Sequence, residues 1–355
     1  MQKKTHLKKR LPKLGIDGIL ITDISNVRYL SGFTGSAGFI ILTGKYSIFV
    51  TDSRYEEQAK DEVSGFTLKT ETRDRTSFIK ELTEQLGINK LGFEDHSLSY
   101  LNHKKLLGRK IRLKPVTNAV EEFRLIKSDE ELFHIRKAVQ RAEKAFRKLK
   151  PFIRVGVTEQ KLAAKLESLL KDEGCKKIPF EVIVASGRRS AFPHAKPSSR
   201  VIKKGDLILF DWGGESGGYY SDMTRMIAIK GRLSEKQMQL HSIVLNALKR
   251  AVEAVRPGVR TGVVDSAARG FIKQNGFGDH FGHGTGHGIG LAVHERPFIS
   301  WNRRDVIKEN MVFSIEPGIY VPGVGGVRLE DIVVVRKNRA EVLTTLPRSL
   351  QIIGN

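Results

Sequence analysis

The sequence predicts a two-domain protein of the α/β (α+β) class, and three features of the chain lead to this prediction. Its 355 residues exceed the length of a typical single domain. Short apolar runs alternate with amphipathic stretches in the first part, which favours a sheet covered by helices. The pattern changes near residues 119–128, so we expect an N-terminal domain at 1–124 and a second domain at 125–355.

The composition is typical of a protein with packed cores that stays inside the cell. Hydrophobic residues make up 40% of the chain, and no apolar run reaches the roughly eighteen residues of a membrane span. The N-terminus (MQKKTHLKKR) lacks the apolar centre of a secretory signal. The single cysteine, Cys175, excludes an internal disulfide and a cysteine-based zinc site. We therefore expect a cytoplasmic location and chemistry that does not depend on thiols.

The chain is strongly basic, with a formal net charge of +22 from 61 lysines and arginines against 39 acidic residues. Such a charge raises the question of nucleic-acid binding. The basic residues are spread along the chain, however, without the interleaved aromatics of a single-strand-binding surface. Dispersed charge is more typical of a contribution to solubility, so nucleic-acid binding is the less favoured interpretation.

The first domain is predicted to alternate between strands and helices. Strands are expected at 15–22, 37–42, 46–50, 66–70 and 91–93, and helices at 56–59, 77–86 and 98–107. The segment 26–38 (NVRYLSGFTGSAG) is polar and contains glycine, and it is interpreted as a loop between strands.

The second domain is predicted to begin with a long amphipathic helix. Ser128 and Glu131 form a capping box before apolar residues at three-four spacing, and Pro151 ends the helix. Further helices are expected at 158–172, from Ser234 to just before Pro257, and at 262–274. Strands are expected at 181–185, 207–210, 219–229, 311–315 and 327–335.

One hairpin in this domain carries two acids. The stretch 207–226 (LILFDWGGESGGYYSDMTRM) places Asp211 and Asp222 on either side of a glycine-rich turn, so that the two carboxylates face each other. Facing carboxylates at the core end of a hairpin need a cation, a proton or a basic partner. Hard divalent ions suit them because such ions take oxygen ligands. The alternative is that both acids cap a solvated turn, as aspartate often does.

Three later stretches also carry polar residues where a plain strand or turn would not need them. They are 281–297 (FGHGTGHGIGLAVHERP), 313–320 (FSIEPGIY) and 325–333 (GGVRLEDIV). Together with the hairpin they supply four carboxylates and one imidazole, namely Asp211, Asp222, His287, Glu316 and Glu330. This set exceeds what one divalent ion takes from a protein, and it suits two ions about 3.5–4 Å apart that activate a water between them.

These positions and their flanks resemble the pita-bread metallopeptidases, in particular the aminopeptidase P and prolidase branch. The resemblance covers nearly the whole chain. In the second domain it rests on FDWG (210–213), SDMTR (221–225), HGTGHGIG (283–290), VHE (293–295), EPGIY (316–320) and VRLED (327–331). In the first it rests on RYLSGFTGSAG (28–38) and VTDSRY (50–55). It implies a creatinase-type N-terminal α/β domain followed by a pita-bread catalytic domain.

The resemblance also implies which residues hold the metals. Asp211 would bind one ion, while Asp222 and Glu330 would bridge both. His287 and Glu316 would complete the other site. Manganese is the expected metal, with cobalt or zinc as alternatives.

Catalytic and substrate-binding roles are implied in the same way. His294 would stabilise the developing oxyanion and contact the substrate. Glu316 would carry a proton to the leaving prolyl nitrogen. His194 matches a substrate-contacting histidine, and His283 a histidine behind the metal ligands; both belong to the expected catalytic set. Arg328 would either orient Glu330 or bind a substrate carboxylate.

The expected function is that of a dinuclear-metal Xaa-Pro aminopeptidase, which cleaves the bond between an N-terminal residue and proline. The FTGSAG and TDSRY segments favour it over the alternative, an Xaa-Pro dipeptidase (prolidase). Methionine aminopeptidase, creatinase and non-catalytic relatives share the fold but fit the motifs less well. The expected partners are a peptide with proline in the second position and, by resemblance, a second copy of the chain in a homodimer.

Overall fold

The computed structural model describes residues 2–108 and 111–354, which form two compact units. The first unit extends to Arg124 and the second begins at Leu125. Each unit combines mixed or antiparallel sheets with helices, and the predicted α/β (α+β) class is confirmed. Within the described residues, every helix is too short or too polar to span a membrane.

The N-terminal unit is built on one six-stranded mixed sheet. Its strands are β1 (Gly18–Ile21), β2 (Phe39–Thr43), β3 (Ser47–Thr51), β4 (Thr67–Thr70), β5 (Lys90–Glu94) and β6 (Arg112–Val116). Its helices are α1 (Gln2–Arg10), α2 (Ile24–Ser31), α3 (Glu56–Glu62), α4 (Arg75–Gln85), α5 (Tyr100–Leu106) and α6 (Glu121–Arg124). The strand order is β4-β3-β2-β1-β5-β6. The central strand β1 pairs antiparallel with β2 and parallel with β5, so the two halves of the sheet meet on it.

Helix α2 corrects one prediction from the sequence. The sequence predicts a loop at 26–38, yet residues 26–31 belong to a helix that is closed at both ends by ordinary capping groups. The Asp23 side chain accepts a hydrogen bond from the Asn26 backbone N–H, and Gly32 ends the helix with a φ of 83°. The helix is further held because the Asn26 side chain donates to the buried Glu94 at 2.6 Å, a contact between residues distant in sequence.

Helix α1 contains much of the basic N-terminus, and its cations contact the N-terminal unit itself. Lys4 Nζ lies 4.3 Å from the centre of the Phe66 ring, and Lys8 Nζ donates to the Lys45 carbonyl oxygen at 3.2 Å. Arg10 forms an ion pair of 2.8 Å with Glu122. These cations contribute to packing within the unit.

The C-terminal unit contains the remaining elements. Its helices are α7 (Asp129–Leu149), α8 (Glu159–Asp172), α9 (Glu235–Ala254) and α10 (Thr261–Gln274). Its strands are β7 (Ile183–Ser186), β8 (Leu207–Trp212), β9 (Glu215–Ser216), β10 (Tyr219–Tyr220), β11 (Met223–Ile229), β12 (Gly286–Gly288), β13 (Glu295–Ile299), β14 (Val312–Ile315), β15 (Gly318–Val321), β16 (Gly325–Arg328), β17 (Asp331–Val335), β18 (Ala340–Val342) and β19 (Gln351–Ile353). They form sheets of order β19-β11-β8-β7 and β13-β12-β14-β17-β18, with the two-stranded pairs β10-β9 and β15-β16.

The period-two alternation of side chains along the strands divides the core of this unit into two layers. On β8, Ile208 and Phe210 pack in a cluster with apolar residues of α7 and α8. Leu207 and Leu209, from the same strand, pack in a second cluster with residues of α9 and α10. Strand β17 divides in the same way between Ile332 and Val333. Helices therefore cover both faces of the strands that lead to the acidic residues.

The first helix of this unit begins where the sequence predicts it. The Ser128 side chain accepts from the Glu131 backbone N–H and the Glu131 side chain accepts from the Ser128 backbone N–H, which completes a capping box before α7. A second capping box, of Ser234 and Gln237, opens α9 as predicted. The sequence does not fully predict the short strands β9, β12, β13, β15, β16, β18 and β19, because their few residues lack clear alternation.

We expect Trp212→Phe to lower the free energy of unfolding of this unit by about 2 kcal/mol. The indole of Trp212 is fully buried, donates to the Ala142 carbonyl oxygen at 3.0 Å and stacks on Phe146. Urea unfolding followed by circular dichroism measures the change. Phe133→Ala, at a largely exposed position on α7, is the control and should change stability by less than about 0.5 kcal/mol. Equal losses in the two variants would contradict the packing described here.

Candidate active site

The predicted site residues come together in one cavity of the C-terminal unit, with a volume of about 620 Å³. All the residues predicted to bind metal, substrate or reacting atoms line it, namely His194, Asp211, Asp222, His283, His287, His294, Glu316, Arg328 and Glu330. Phe180, Ile183, Pro193 and Phe298 add apolar walls. The cavity therefore combines a polar floor with apolar sides, as ligand sites commonly do.

The four carboxylates reach the floor from strand ends. Strands β8 and β11 are antiparallel, and their register places Asp211 opposite Thr224, two residues after Asp222. Glu316 directly follows β14, and Glu330 directly precedes β17, which is paired with β14. Each acid thus extends a buried strand, and strand pairing brings together residues that are more than a hundred positions apart.

His287 joins the acids because glycines on both sides let neighbouring strands approach. A Cβ atom on Gly286 would lie 1.9 Å from the Ser314 carbonyl oxygen, and one on Gly288 would lie 2.2 Å from the Arg296 carbonyl oxygen. Within β12, the Nδ1–H of His287 donates to the Gly288 carbonyl oxygen at 3.1 Å. This bond leaves Nε2 directed to Glu316 at 3.2 Å, the nitrogen a metal would use.

The crowded acids perturb one another. Burial raises the pKa of Asp222 well above its usual value, and repulsion from Glu330 and Asp211 adds to the effect. Burial likewise raises the pKa of Glu330, with repulsion from Glu316 and Asp211. The ionised carboxylates are therefore unfavourable together unless a cation lies between them.

Unpaired oxygens show that the site fits a divalent ion. Asp211 Oδ1, Asp222 Oδ1 and Glu330 Oε1 are buried without a hydrogen-bond partner, although such atoms in a native protein usually have one. Ligand atoms of Asp211, Asp222 and Glu330 lie within 4.8 Å of one another, and so do those of His287, Glu316 and Glu330. The two groups share Glu330, so the arrangement suits two adjacent ions.

One arginine orients two of these acids. Buried Arg328 pairs through Nη2 with Asp211 Oδ2, whereas it was expected beside Glu330. Its Nε donates to Thr224 Oγ1 at 3.0 Å. Because the hydroxyl accepts from the guanidinium, its only proton is left for Glu330 Oε2, at 2.8 Å. Arg328 thus contacts Asp211 directly and Glu330 through Thr224, in each case on the oxygen opposite the unpaired one.

A second chain of hydrogen bonds starts from the same arginine. Arg328 Nη1 donates to Tyr320 Oη at 2.7 Å, and this hydroxyl donates to His283 Nε2 at 2.9 Å. His283 Nδ1–H donates to the Gly284 carbonyl oxygen at 2.8 Å. Burial lowers the pKa of His283, in agreement with the neutral ring that this pattern requires. Both ring nitrogens of His283 are engaged, so its geometry is that of a positioning residue.

His294 and His194 lie at the open side of the cavity. The ring centre of His294 is 4.2 Å from that of His287, at an interplanar angle of 76°. Partial burial and the neighbouring His287 lower the pKa of His294, so its imidazole is neutral at neutral pH and has one N–H to donate. His194 is exposed in the loop after the short helix Gly187–Ala191.

Four residues of this site were not singled out from the sequence. Thr224 and Tyr320 lie inside the SDMTR and EPGIY motifs, so their positions were visible but their contacts were not. Ser314 Oγ donates to Glu316 at 3.1 Å and accepts from the His287 backbone N–H at 3.1 Å. Arg303 lies in a turn after β13 and lines the cavity, although no local pattern marks it.

We expect Thr224→Val to weaken divalent-metal binding by about tenfold to a hundredfold, because the variant leaves Arg328 Nε without an acceptor and Glu330 without its donor. Thr224→Ser keeps the hydroxyl and should bind metal like the parent. Equilibrium dialysis of Mn²⁺ against each protein measures the affinities, and circular dichroism verifies the fold. Parental affinity in the valine variant would show that the hydroxyl does not orient Glu330.

We also expect the stabilisation by added Mn²⁺ to grow as the pH rises from about 5 to 8. Because their pKa values are raised, Asp222 and Glu330 keep protons in the folded metal-free protein that they have lost in the unfolded chain. As the pH rises above the pKa values that these two groups have in the unfolded chain, their contribution to the stability of the metal-free protein therefore falls. A bound cation compensates the ionised carboxylates and so prevents this loss of stability. Thermal unfolding with and without Mn²⁺ measures the difference.

Asp222→Asn is the control for this experiment. It removes one repelling charge, so the metal-free variant should be at least as stable as the parent at pH 8, while the gain from Mn²⁺ becomes much smaller. A stabilisation by Mn²⁺ that is independent of pH and unchanged in the variant would place the ion elsewhere.

Comparison with known proteins agrees with this geometry. Residues 134–337 match metallopeptidase family M24, and residues 3–126 match the creatinase/prolidase N-terminal domain. The Xaa-Pro dipeptidase of Pyrococcus furiosus is 41% identical to 97% of this chain, over 100% of its own length.

Two solved structures are similar over the whole chain. An Xaa-Pro dipeptidase from Bacillus anthracis has a TM-score of 0.96 at 38% identity, with 99% of each chain covered. An X-Pro aminopeptidase from Thermotoga maritima has a TM-score of 0.90 at 37% identity, also with 99% of each covered. With its divalent-metal-binding site, its creatinase-type first domain and its pita-bread second domain, the chain belongs to metallopeptidase family M24 and is a metallo-exopeptidase.

Proposed function

We propose that the chain is an Xaa-Pro dipeptidase, which hydrolyses the bond between an N-terminal residue and a C-terminal proline. The observation that carries the proposal is the meeting of Asp211, Asp222, His287, Glu316 and Glu330 in one cavity beside a neutral His294. The sequence favoured an aminopeptidase, with the dipeptidase as its alternative. Relatives support the alternative better, because two of the three proteins compared above are named Xaa-Pro dipeptidases.

The unpaired oxygens of Asp211, Asp222 and Glu330 support a metal site, and the resemblance to the family supplies the role of each ligand. By that resemblance, Asp211 would hold one ion and His287 and Glu316 the other, with Asp222 and Glu330 shared. When bound, the two ions would polarise the scissile carbonyl and lower the pKa of the attacking water. Manganese is the metal that we propose, because carboxylate oxygens dominate the donor set. By resemblance to the family we also propose a homodimer in the cytoplasm.

The chain's own residues then manage protons and developing charge. The neutral ring of His294 has an N–H at the edge of the cavity and would donate it to the oxygen that becomes negative in the transition state. Glu316 would take a proton from the attacking water and pass it to the prolyl nitrogen. This nitrogen is tertiary in the peptide, so it must gain a proton before it can leave.

A dipeptide also presents a free C-terminal carboxylate, and Arg303 is placed to bind it. Three cations line the cavity, namely Lys196, Arg303 and Arg328. All three guanidinium nitrogens of Arg328 donate within the protein, and Lys196 lies 3.6 Å from Glu181. Arg303 forms no ion pair among the described residues; its Cζ atom lies 5.5 Å from the Phe298 ring centre. We therefore assign carboxylate binding to Arg303, whereas Arg328 had been considered from the sequence.

We expect the Mn²⁺-loaded chain to cleave an Xaa-Pro dipeptide with higher kcat/KM than the same sequence extended by one residue. Arg303→Ala should lower kcat/KM for the dipeptide by about tenfold to a hundredfold, the effect of a lost charge-assisted hydrogen bond. The corresponding prolinamide lacks the carboxylate, so its cleavage should not change. Steady-state assays on the three substrates measure these effects.

Arg304→Ala is the matched control, because it removes an adjacent cation that does not line the cavity. It should leave all three rates unchanged. Preference for the extended peptide would establish an aminopeptidase instead. Loss of dipeptide and prolinamide cleavage together in Arg303→Ala would show that this residue acts in chemistry and not in carboxylate recognition.

A further inference from the structure

A second cavity in the C-terminal unit is strongly basic and belongs to none of the steps above. Its volume is about 560 Å³, and four of its lining residues are the cations Arg188, Arg189, Arg200 and Lys236. Asp206 is the one carboxylate among the residues that line it. We propose that this basic cleft is a binding site for a small oligophosphate anion such as inorganic pyrophosphate.

Two of the four cations are not neutralised by a carboxylate. Arg200 is held by Asp206 through two bonds of 2.7 and 2.8 Å, and Arg189 Nε donates to Glu159 at 3.0 Å. Within residues 2–108 and 111–354, neither Arg188 nor Lys236 forms an ion pair, and both side chains are exposed. Lys236 Nζ lies 4.4 Å from the centre of the Phe277 ring, a contact that leaves its charge unneutralised. The cleft therefore carries two uncompensated positive charges beside two positioned guanidinium groups, which suits an anion with more than one charge.

The backbone around the cleft favours the same ligand. Gly187 has a φ of +55°, and a Cβ atom there would lie 2.7 Å from Arg200 Nη2, so the backbone passes closely over this guanidinium. Ser234 and Lys236 belong to the cap and first turn of α9, a 20-residue helix whose N-terminal end carries partial positive charge.

The lining also distinguishes among phosphate compounds. Its ten residues include no aromatic side chain and only Val324 as an aliphatic one, so the cleft offers no aromatic ring on which a base could stack. An inorganic anion is therefore favoured over a nucleotide.

The basic cleft is connected to the active site by short contacts. Arg189 Nη2 donates to the Lys196 carbonyl oxygen at 2.6 Å, in the loop that carries His194. Ser190 Oγ donates to the Gly187 carbonyl oxygen and accepts from the Gly326 backbone N–H at 2.8 Å, two residues before Arg328. An anion that draws Arg188 and Arg189 together would therefore restrict the segment that leads to His194.

Isothermal titration of the metal-free full chain with pyrophosphate at low salt tests the proposal. Working without metal avoids chelation by the anion and separates the result from the proposed peptidase activity. We expect one site, and a loss of affinity of about tenfold or more in the double variant Arg188→Ala/Lys236→Ala. Arg303→Ala, in the active-site cavity, should bind like the parent.

The matched control is Lys249→Ala/Lys337→Ala, which removes two exposed cations elsewhere and lowers the net charge equally. It should retain the parental affinity. If both double variants lose the same affinity for pyrophosphate, the effect comes from the overall charge of the protein and the proposal is overturned. The absence of saturable binding to the parent would also overturn it. Adenosine diphosphate should bind no more tightly than pyrophosphate; a clearly tighter complex would overturn the inorganic assignment.

Hydrogen exchange provides a second measurement. Saturating pyrophosphate should slow amide exchange in residues 187–196 of the parent but not of Arg188→Ala/Lys236→Ala. If pyrophosphate leaves amide exchange in this segment of the parent unchanged, anion binding does not restrict the loop that carries His194.

Discussion

The C-terminal unit has to accommodate the repulsion between four carboxylates that meet in one cavity. Asp211, Asp222, Glu316 and Glu330 extend well-packed strands, so they cannot move apart without breaking the sheets that carry them. Their position is compatible with folding because fixed donors partly compensate three of the acids: Arg328 for Asp211, Thr224 for Glu330 and Ser314 for Glu316. Protons or cations neutralise the remaining charge, including that of Asp222.

Counting charges supports the proposal of two ions. The four ionised acids and one arginine leave three negative charges. One divalent ion would leave one negative charge, whereas two would leave one positive charge on the floor of the cavity. A small positive excess, next to the N–H of His294, is what a reaction that develops an oxyanion requires.

The sequence singled out the candidate acidic ligands because these residues interrupt or end apolar runs, where a buried charge needs a reason. It predicted the α7 and α9 starts for a similar local reason, since a capping box is complete within four residues. It did not predict Thr224 as a link between Arg328 and Glu330, because that role arises from strand register across more than a hundred positions. Helix α2 was missed although Asp23 and Gly32 mark its ends, since polar residues such as Asn26 were read as loop-forming and not as buried partners of Glu94.

Chemistry and specificity are carried by different parts of this unit. The metal ligands lie on or beside paired strands, where a change of position would disturb the core on both faces. Arg303 instead lies in the turn after β13, which is closed by the Arg303 backbone N–H bond to the Ser300 carbonyl oxygen and by the ion pair of Arg296 with Asp305. Such a turn can change its side chains or length at little cost to stability. A change in this turn would alter how the substrate is treated beyond proline and leave the proposed metal ligands in place. A dipeptidase and an aminopeptidase are similar to this chain at nearly equal identity, 38% and 37%.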